Sequence, residues 1–329
     1  MKIVGVLPVY EEANWVEWAV KGIIDFVDFL VIAEGYQGPP YHFRGNRSKD
    51  GTLEILNKLQ SCYPDKIKII DCAWGWHVNH GKARTHNKAL RAIDQYGLLE
   101  KDNWYFLVDS DEFYTTEQLS EIREAIKGTD KDLLIVHDRM FVYNFNYFIP
   151  ATHGRLIRIT NGMYFKPAQF PCYSSGDVYA SRSEKVGYIL KDKPMFHYSF
   201  VRPNKRMLKR IQMEFLSRAY KPEAFEWFNE VYMKWTEENA EEIYKINERI
   251  TGNSGFLSAG YCSRLNKYTG DHPGILDDHP CRKINDIAKL RDACRAKVTF
   301  SLFFLRLFQD FGAGIKALLR KARGLRNRN

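Results

Sequence analysis

The sequence has little of what defines several common classes. Its six cysteines (Cys62, Cys72, Cys172, Cys262, Cys281, Cys294) form no CxxC pair and no close spacing. That excludes a zinc ribbon and a disulfide scaffold and fits a reducing compartment. No apolar run reaches the ~20 residues of a spanning helix; the most apolar segment, Val298 to Leu305, is cut by Arg306. The opening KIVGVLPVYEE is apolar too briefly for a secretory leader and runs into carboxylates, so it reads as a first strand. Repeats and low-complexity linkers are also missing. The protein is expected in the cytoplasm.

Broad positive charge is lacking as well. The formal charge is +9, but six basic residues (Lys316, Arg320, Lys321, Arg323, Arg326, Arg328) lie in the last fifteen with no acidic one among them. The remainder carries only +3, which does not make the basic face of a nucleic-acid binder, and no nucleic acid is expected. What the chain does have is an ordinary globular composition, 45% apolar with 21 Phe, 19 Tyr and 7 Trp.

The first 140 residues alternate strand and helix patterns. Strands are expected at Ile3 to Val9, Phe29 to Ala33, Ile67 to Cys72 and Trp104 to Val108. Helices are expected after Asn14 and after Asp50, each acting as a cap, and from Lys82 to Tyr96. This rhythm predicts a mainly parallel, Rossmann-like α/β sheet whose ligands gather at the carboxyl ends of the strands. From Leu133 to His197 the pattern turns to short β pieces (LLIVHDRMFVY, RLIRI, GMYF, PMFHYSF), then to helices over 204 to 250, with irregular chain over 252 to 285.

The strongest local signal is WYFLVDSDEFY at 104 to 114, an apolar strand ending in Asp109 and Asp111. Two-residue periodicity would set both aspartates on one side, where they repel unless a cation lies between them. A hard divalent ion, Mn²⁺ or Mg²⁺, suits such oxygen ligands and in turn binds diphosphate oxygens. The competing reading is a solvated acidic turn that caps the next helix.

Five segments in order, VLPVYEE at 6 to 12, VIAEG at 31 to 35, SKDGT at 48 to 52, GKARTHNKAL at 81 to 90 and FLVDSDEF at 106 to 113, resemble family-2 nucleotide-sugar glycosyltransferases of the GT-A fold. The likeness covers about the first 115 residues and thins toward 200. It implies a GT-A catalytic domain over 1–200, with a nucleotide-binding half over about 1–115 and an acceptor half over about 116–200. A helical and irregular extension follows over 201–296, then an amphipathic basic segment over 297–329.

The resemblance also implies roles. Pro8 and Tyr10 would line the nucleotide base pocket, Glu34 would hold base or ribose, and Asp50 would close near the nucleoside. Asp109 and Asp111 would form the DxD pair at the metal. Two departures stand out: twelve residues, Tyr36 to Arg47, interrupt the usual DDGSTDGT, and Glu11 replaces the usual Asn of the first motif.

Lys82 and Arg84 would stabilise charge growing on the diphosphate, or form a solvated first turn of a helix. His197 is the third metal-ligand candidate, a nitrogen beside carboxylates, or else a core histidine bonded to backbone. Arg202 could also face the diphosphate. Asp177, in PCYSSGDVY, is the candidate catalytic base, with a turn aspartate as the alternative.

The Phe stripe from Phe300 to Phe311 beside the basic tail reads as an anchor on an anionic membrane surface, or as a helix packed on the body with a solvated tail. Taken together, the chain is expected to move a sugar from a nucleotide-diphosphate-sugar donor to a glycan or lipid-linked acceptor. The rivals are a sugar-nucleotide nucleotidyltransferase, which would want a Gly-rich basic loop where PVYEEAN stands, and a non-enzymatic protein that uses the basic tail on membrane or nucleic acid.

Overall fold

The structure, a computed structural model, describes residues 1–36, 47–72, 81–160, 162–167, 178–180, 185–216, 222–252 and 265–283. The elements run β1 (Ile3–Val9), α1 (Val16–Ile23), β2 (Phe29–Glu34), α2 (Thr52–Cys62), β3 (Ile67–Asp71), α3 (Gly81–Gln95), β4 (Trp104–Leu107), β5 (Glu112–Phe113) and α4 (Thr116–Gly128). They continue with β6 (Leu133–Val142), β7 (Tyr147–Arg158), β8 (Phe165–Pro167), β9 (Val178–Ala180), β10 (Val186–Ile189), β11 (Met195–Phe200), α5 (Asn204–Leu216), α6 (Glu223–Trp227), α7 (Ala240–Thr251) and β12 (Asn266–Lys267).

The sheet follows the order β3-β2-β1-β4-β7-β6-β11-β5. The first four strands are parallel, β7 runs antiparallel to both β4 and β6, and β11 is parallel to β6. This is a mixed, mainly parallel sheet, as the alternating pattern predicts. Its strand order reverses between β1 and β4, and such a reversal opens a crevice at the carboxyl ends of the two strands.

Period-two alternation sorts the side chains onto two faces. Ile3, Leu7, Leu30, Ile32, Trp104 and Phe106 pack with Val16, Val20, Leu56 and Ile122 from α1, α2 and α4. Val4, Val6, Val31, Tyr105 and Leu107 pack with Ala89, Leu90 and Ile93 of α3. Because both faces are covered, the strands read as continuous apolar runs. Beyond β4 a third, aromatic cluster gathers Trp15, Phe113, Phe141, Phe196 and Tyr198.

Three local expectations are corrected. Asn14 does not cap α1, whose cap residue is Trp15 with no side-chain bond; the Asn14 carbonyl instead accepts a hydrogen bond from His279. Asp50 precedes the α2 cap by one residue, because Gly51 holds the cap position in the left-handed conformation that favours glycine (φ +96°). The acidic DSDE turn does not cap α4 either. Thr115 does so in a capping box, its Oγ1 accepting from Gln118 N at 3.3 Å while Gln118 Oε1 accepts from Thr115 N at 2.7 Å. The piece LLIVHDRMFVY is β6, whereas RLIRI is only the end of the twelve-residue β7, which pairs with β6 as an antiparallel hairpin.

The chain divides into two compact units, Met1–Met207 with Leu257–Asp292, and Leu208–Phe256 with Ala293–Asn329. The sheet and the crevice belong to the first. In the second, Trp227 donates its indole N–H to Asn247 at 3.0 Å, which ties α6 to α7.

Thr115→Ala removes one orphan-donor partner at the start of α4 and is expected to cost about 1 kcal/mol. Urea unfolding of wild type and variant measures this as a lower midpoint at unchanged slope.

Candidate active site

The crevice begins where β1 ends. The loop after it carries Glu11 in the left-handed region (φ +53°), a conformation costly for a side chain with a Cβ. It is held there by SKDGT: Ser48 Oγ accepts from Glu11 N at 2.7 Å, Thr52 Oγ1 from Glu12 N at 2.9 Å, and Asp50 from Ala13 N at 3.3 Å. Glu34, at the end of β2, is buried and accepts from Ser48 N at 2.8 Å, while its other oxygen is buried without a hydrogen bond among the described residues. Tyr10 stands 5.0 Å, ring to ring, from Tyr36, and burial beside Glu11 pushes its hydroxyl up to about 12.

The second wall is the chain after β4. The strand stops at Leu107, so Asp109 and Asp111 sit in the turn beyond it and the alternation expected of them does not extend there. Each is bound by a different arginine. Arg155, fully buried on β7, pairs with Asp109 at 3.0 Å and with buried Glu112. Arg202 pairs with Asp111 at 2.5 Å and with Glu12 at 2.7 Å, and so joins the two walls. Arg206 reaches Glu11 at 3.1 Å and Asp50 at 3.7 Å.

His197 closes the floor. The β5–β11 register sets it opposite Glu112, and its Nε2 lies 3.5 Å from Asp111 Oδ1. Its Nδ1 lies 3.3 Å from Asp138 Oδ2 on β6, and Asp138 Oδ1 lies 2.9 Å from His153 Nδ1 on β7. Burial would lower the imidazole of His197, but hydrogen bonds to Asp111 and Asp138 overcome it and hold it up to about 10. Burial pushes the Glu112 carboxyl up to about 8, with Arg155 pulling against it. Asp138 goes the other way: burial is outweighed by His153 and His197, which keep it below the usual carboxylate range.

Pro8, Tyr10, Glu34, Asp50, Asp109, Asp111 and His197 thus all lie around the crevice or in the loops that shape it. Arg84 is exposed in the first turn of α3, where Lys82 also lies, although the Lys82 side chain is outside the described residues. Asp177 and residues 37–46 of the insert also lie outside them, as does the C-terminal segment 297–329. Sequence reasoning passed over Glu12, Glu112, Asp138, His153 and Arg155. For Asp138 a signal was present, since it interrupts the otherwise apolar buried face formed by Leu134, Val136, Met140 and Val142 of β6; on β7 His153 and Arg155 share the buried face with Tyr147, Ile149 and Ile157.

The family model described as Glycosyl transferase family 2 matches residues 6–183, more than half of the chain and all of this crevice as far as β7. The chain belongs to glycosyl transferase family 2. Comparison with curated proteins returns no match. Among solved structures, S. aureus TarS 1-349 is similar at 13% identity and a TM-score of 0.38, over 78% of this chain and 81% of that one. A 4-diphosphocytidyl-2C-methyl-D-erythritol synthase is similar at 15% identity and 0.31, over 48% and 75%. At those scores neither likeness bears on donor or acceptor.

The donor set of this family-2 glycosyltransferase fits a divalent cation. Single ligating atoms of Asp109, Glu112 and His197 lie within 4.8 Å of one another, and Asp111 adds a fourth beside His197. Carboxylates with one imidazole are the ligands that Mn²⁺ accepts. A cluster that draws protons onto Glu112 and His197 also draws a cation.

The pH dependence of stability follows from the same two groups. Glu112 and His197 are both raised in the folded state, so above their unfolded values of about 4.3 and about 6.5 the folded chain binds more protons than the unfolded one. Their contribution is full at low pH and is lost as pH rises. In chelator-treated protein, stability is expected to fall most steeply between about pH 6.5 and 8, where both act. Thermal melts across that window check it, and His197→Phe should flatten the upper part.

Proposed function

We propose that this family-2 glycosyltransferase is metal dependent and moves a sugar from a nucleotide-diphosphate-sugar donor to a glycan or lipid-linked acceptor. The observation that carries the reading is the convergence of Asp109, Asp111, Glu112 and His197 on one crevice at the strand-order reversal. Asp109, Asp111 and His197 would hold Mn²⁺ or Mg²⁺. When bound, the cation supplies Lewis-acid neutralisation of the departing diphosphate.

The chain's own residues would do the rest. Pro8, Tyr10, Glu34 and Asp50 would hold the nucleoside, and Glu34 has a buried oxygen, without a hydrogen bond among the described residues, to offer a base or ribose N–H or O–H. Lys82 and Arg84, in the first turn of α3, would face the phosphates. Asp177 would accept the proton of the acceptor hydroxyl. Arg202 could keep Glu12 through Nη1 while Asp111 turns toward the cation. Residues 1–200 would form the catalytic unit.

The rival nucleotidyltransferase reading is disfavoured by the first loop. A basic, Gly-rich phosphate cradle would be needed after β1, and that loop presents Glu11 and Glu12. No helix among the described residues is long and apolar enough to cross a membrane. We place the enzyme in the cytoplasm, peripheral at a membrane face through residues 297–329.

Two outcomes are expected. In a thermal-shift panel of UDP-, GDP-, CMP- and dTDP-linked compounds, one base class should raise the melting temperature only with Mn²⁺ present. In parallel, Asp111→Asn should lower turnover by about 10²- to 10³-fold, the loss typical of one preorganised charged group. Wild-type turnover in that variant would remove the metal assignment. Separately, liposomes containing anionic lipid should pellet the full chain and leave a chain lacking residues 315–329 in the supernatant; equal pelleting would end the anchor reading.

A further inference from the structure

The pairings of β7, β6 and β11 put three polar side chains on one buried face. Asp138 is opposite Met195 on β11 and Ala151 on β7, and His197 and His153 are the diagonal neighbours two residues along each partner strand. At that diagonal spacing long side chains meet across a sheet. Asp138 is fully buried and no arginine or lysine pairs with it among the ion pairs of the described residues; its two oxygens go to the two imidazoles, Oδ1 to His153 at 2.9 Å and Oδ2 to His197 at 3.3 Å. A buried carboxylate is costly, and a well-packed apolar residue would serve the sheet as well.

What Asp138 does that an apolar residue could not is fix a ring. Each imidazole nitrogen facing it must be an N–H donor, because an ionised carboxylate only accepts. With the Nδ1 proton held by Asp138, Nε2 is the nitrogen that must give up its proton when a cation binds, and Nε2 is the atom that faces Asp111 at 3.5 Å. The alternative partner for Nδ1, Glu112 Oε1, is farther at 3.8 Å and is already bound by Arg155. His153 adds a wall, standing edge to face against His197 at 5.3 Å and 77°. A carboxylate behind a histidine in this way orients it for a metal and fixes which nitrogen ligates.

We infer that Asp138 is a positioning residue, which with His153 behind it keeps the proton of His197 on Nδ1 when a cation binds and aims Nε2 into the cation site. The inference rests on the metal reading above, and the experiment separates the two. Mn²⁺ affinity is measured by electron paramagnetic resonance on the full chain for wild type, Asp138→Asn, His197→Ala and the double variant. Asp138→Asn has one acceptor where two donors converge, so affinity should fall about 10- to 100-fold. In the His197→Ala background the same change should cost nothing more, which a merely structural role would not produce. Wild-type affinity in Asp138→Asn, or additive losses, would overturn the inference while leaving His197 a ligand. Wild-type affinity in His197→Ala alone would instead sink the metal reading, and the inference with it.

A measurement on the wild-type chain decides the case even if Asp138→Asn does not fold. In a long-range proton–nitrogen spectrum of the cadmium-loaded protein, His197 should carry its proton on Nδ1 and its metal on Nε2. Metal on Nδ1 would mean that Asp138, His153 and His197 hold an ion of their own, and would overturn the proposal.

Discussion

Everything at the crevice depends on one constraint: carboxylates can be buried at the end of β4 only because guanidinium groups are brought to them from far along the chain. Glu112 is fully buried and Asp111 nearly so, and each would be prohibitive alone. Arg155 meets the first from β7, and Arg202 meets the second from the segment before α5. The β6–β7 hairpin is therefore more than an extension of the sheet, since its return strand delivers the charge that lets the turn after β4 stay folded inward. Arg202 does the same across the crevice, its contact with Glu12 fixing the distance between the β1 and β4 loops.

The two loops differ in how they are restrained. Around β1 the backbone itself is clasped, with Ser48, Asp50 and Thr52 taking the N–H groups of three consecutive residues beside the ion pairs of Glu11 and Glu12 with Arg206 and Arg202. Around β4 the restraint comes from long-range ion pairs. A backbone clasp fixes a shape, whereas ion pairs can exchange partners. The rim expected to recognise a nucleoside thus adds a backbone clasp to its ion pairs, and the rim expected to handle charge is the one whose contacts can be redrawn.

Most of the fold over residues 1–115 could be read from sequence, because β1 to β4 are apolar runs bounded by polar punctuation and separated by helical periodicity. The DSD turn was legible for the same reason. What escaped was non-local. Arg155 is 43 residues from Glu112 and Arg202 is 91 from Asp111, and nothing in local pattern announces such a partner. The length of β7 was obscured by the polar residues Thr152 and His153, which break the apolar alternation before RLIRI. Those interruptions were themselves the sign of a polar floor. Capping was misjudged by one residue at each site: Trp15 and Gly51 hold the cap positions, while Asp50 still accepts from Thr52 N through Oδ1 and reaches the β1 loop through Oδ2.

The capping box of α4 has a reach beyond its helix. Gln118 closes the box through its carbonyl oxygen and spends its amide on the carbonyls of Lys193 and Pro194, at 2.9 and 2.8 Å, immediately before β11. The strand that carries His197 is thereby tethered to a helix start more than seventy residues earlier. Loosening an ordinary-looking helix terminus on the flank of the molecule would translate into play in the imidazole at its centre, a form of wear that no inspection of the crevice alone would trace to its origin.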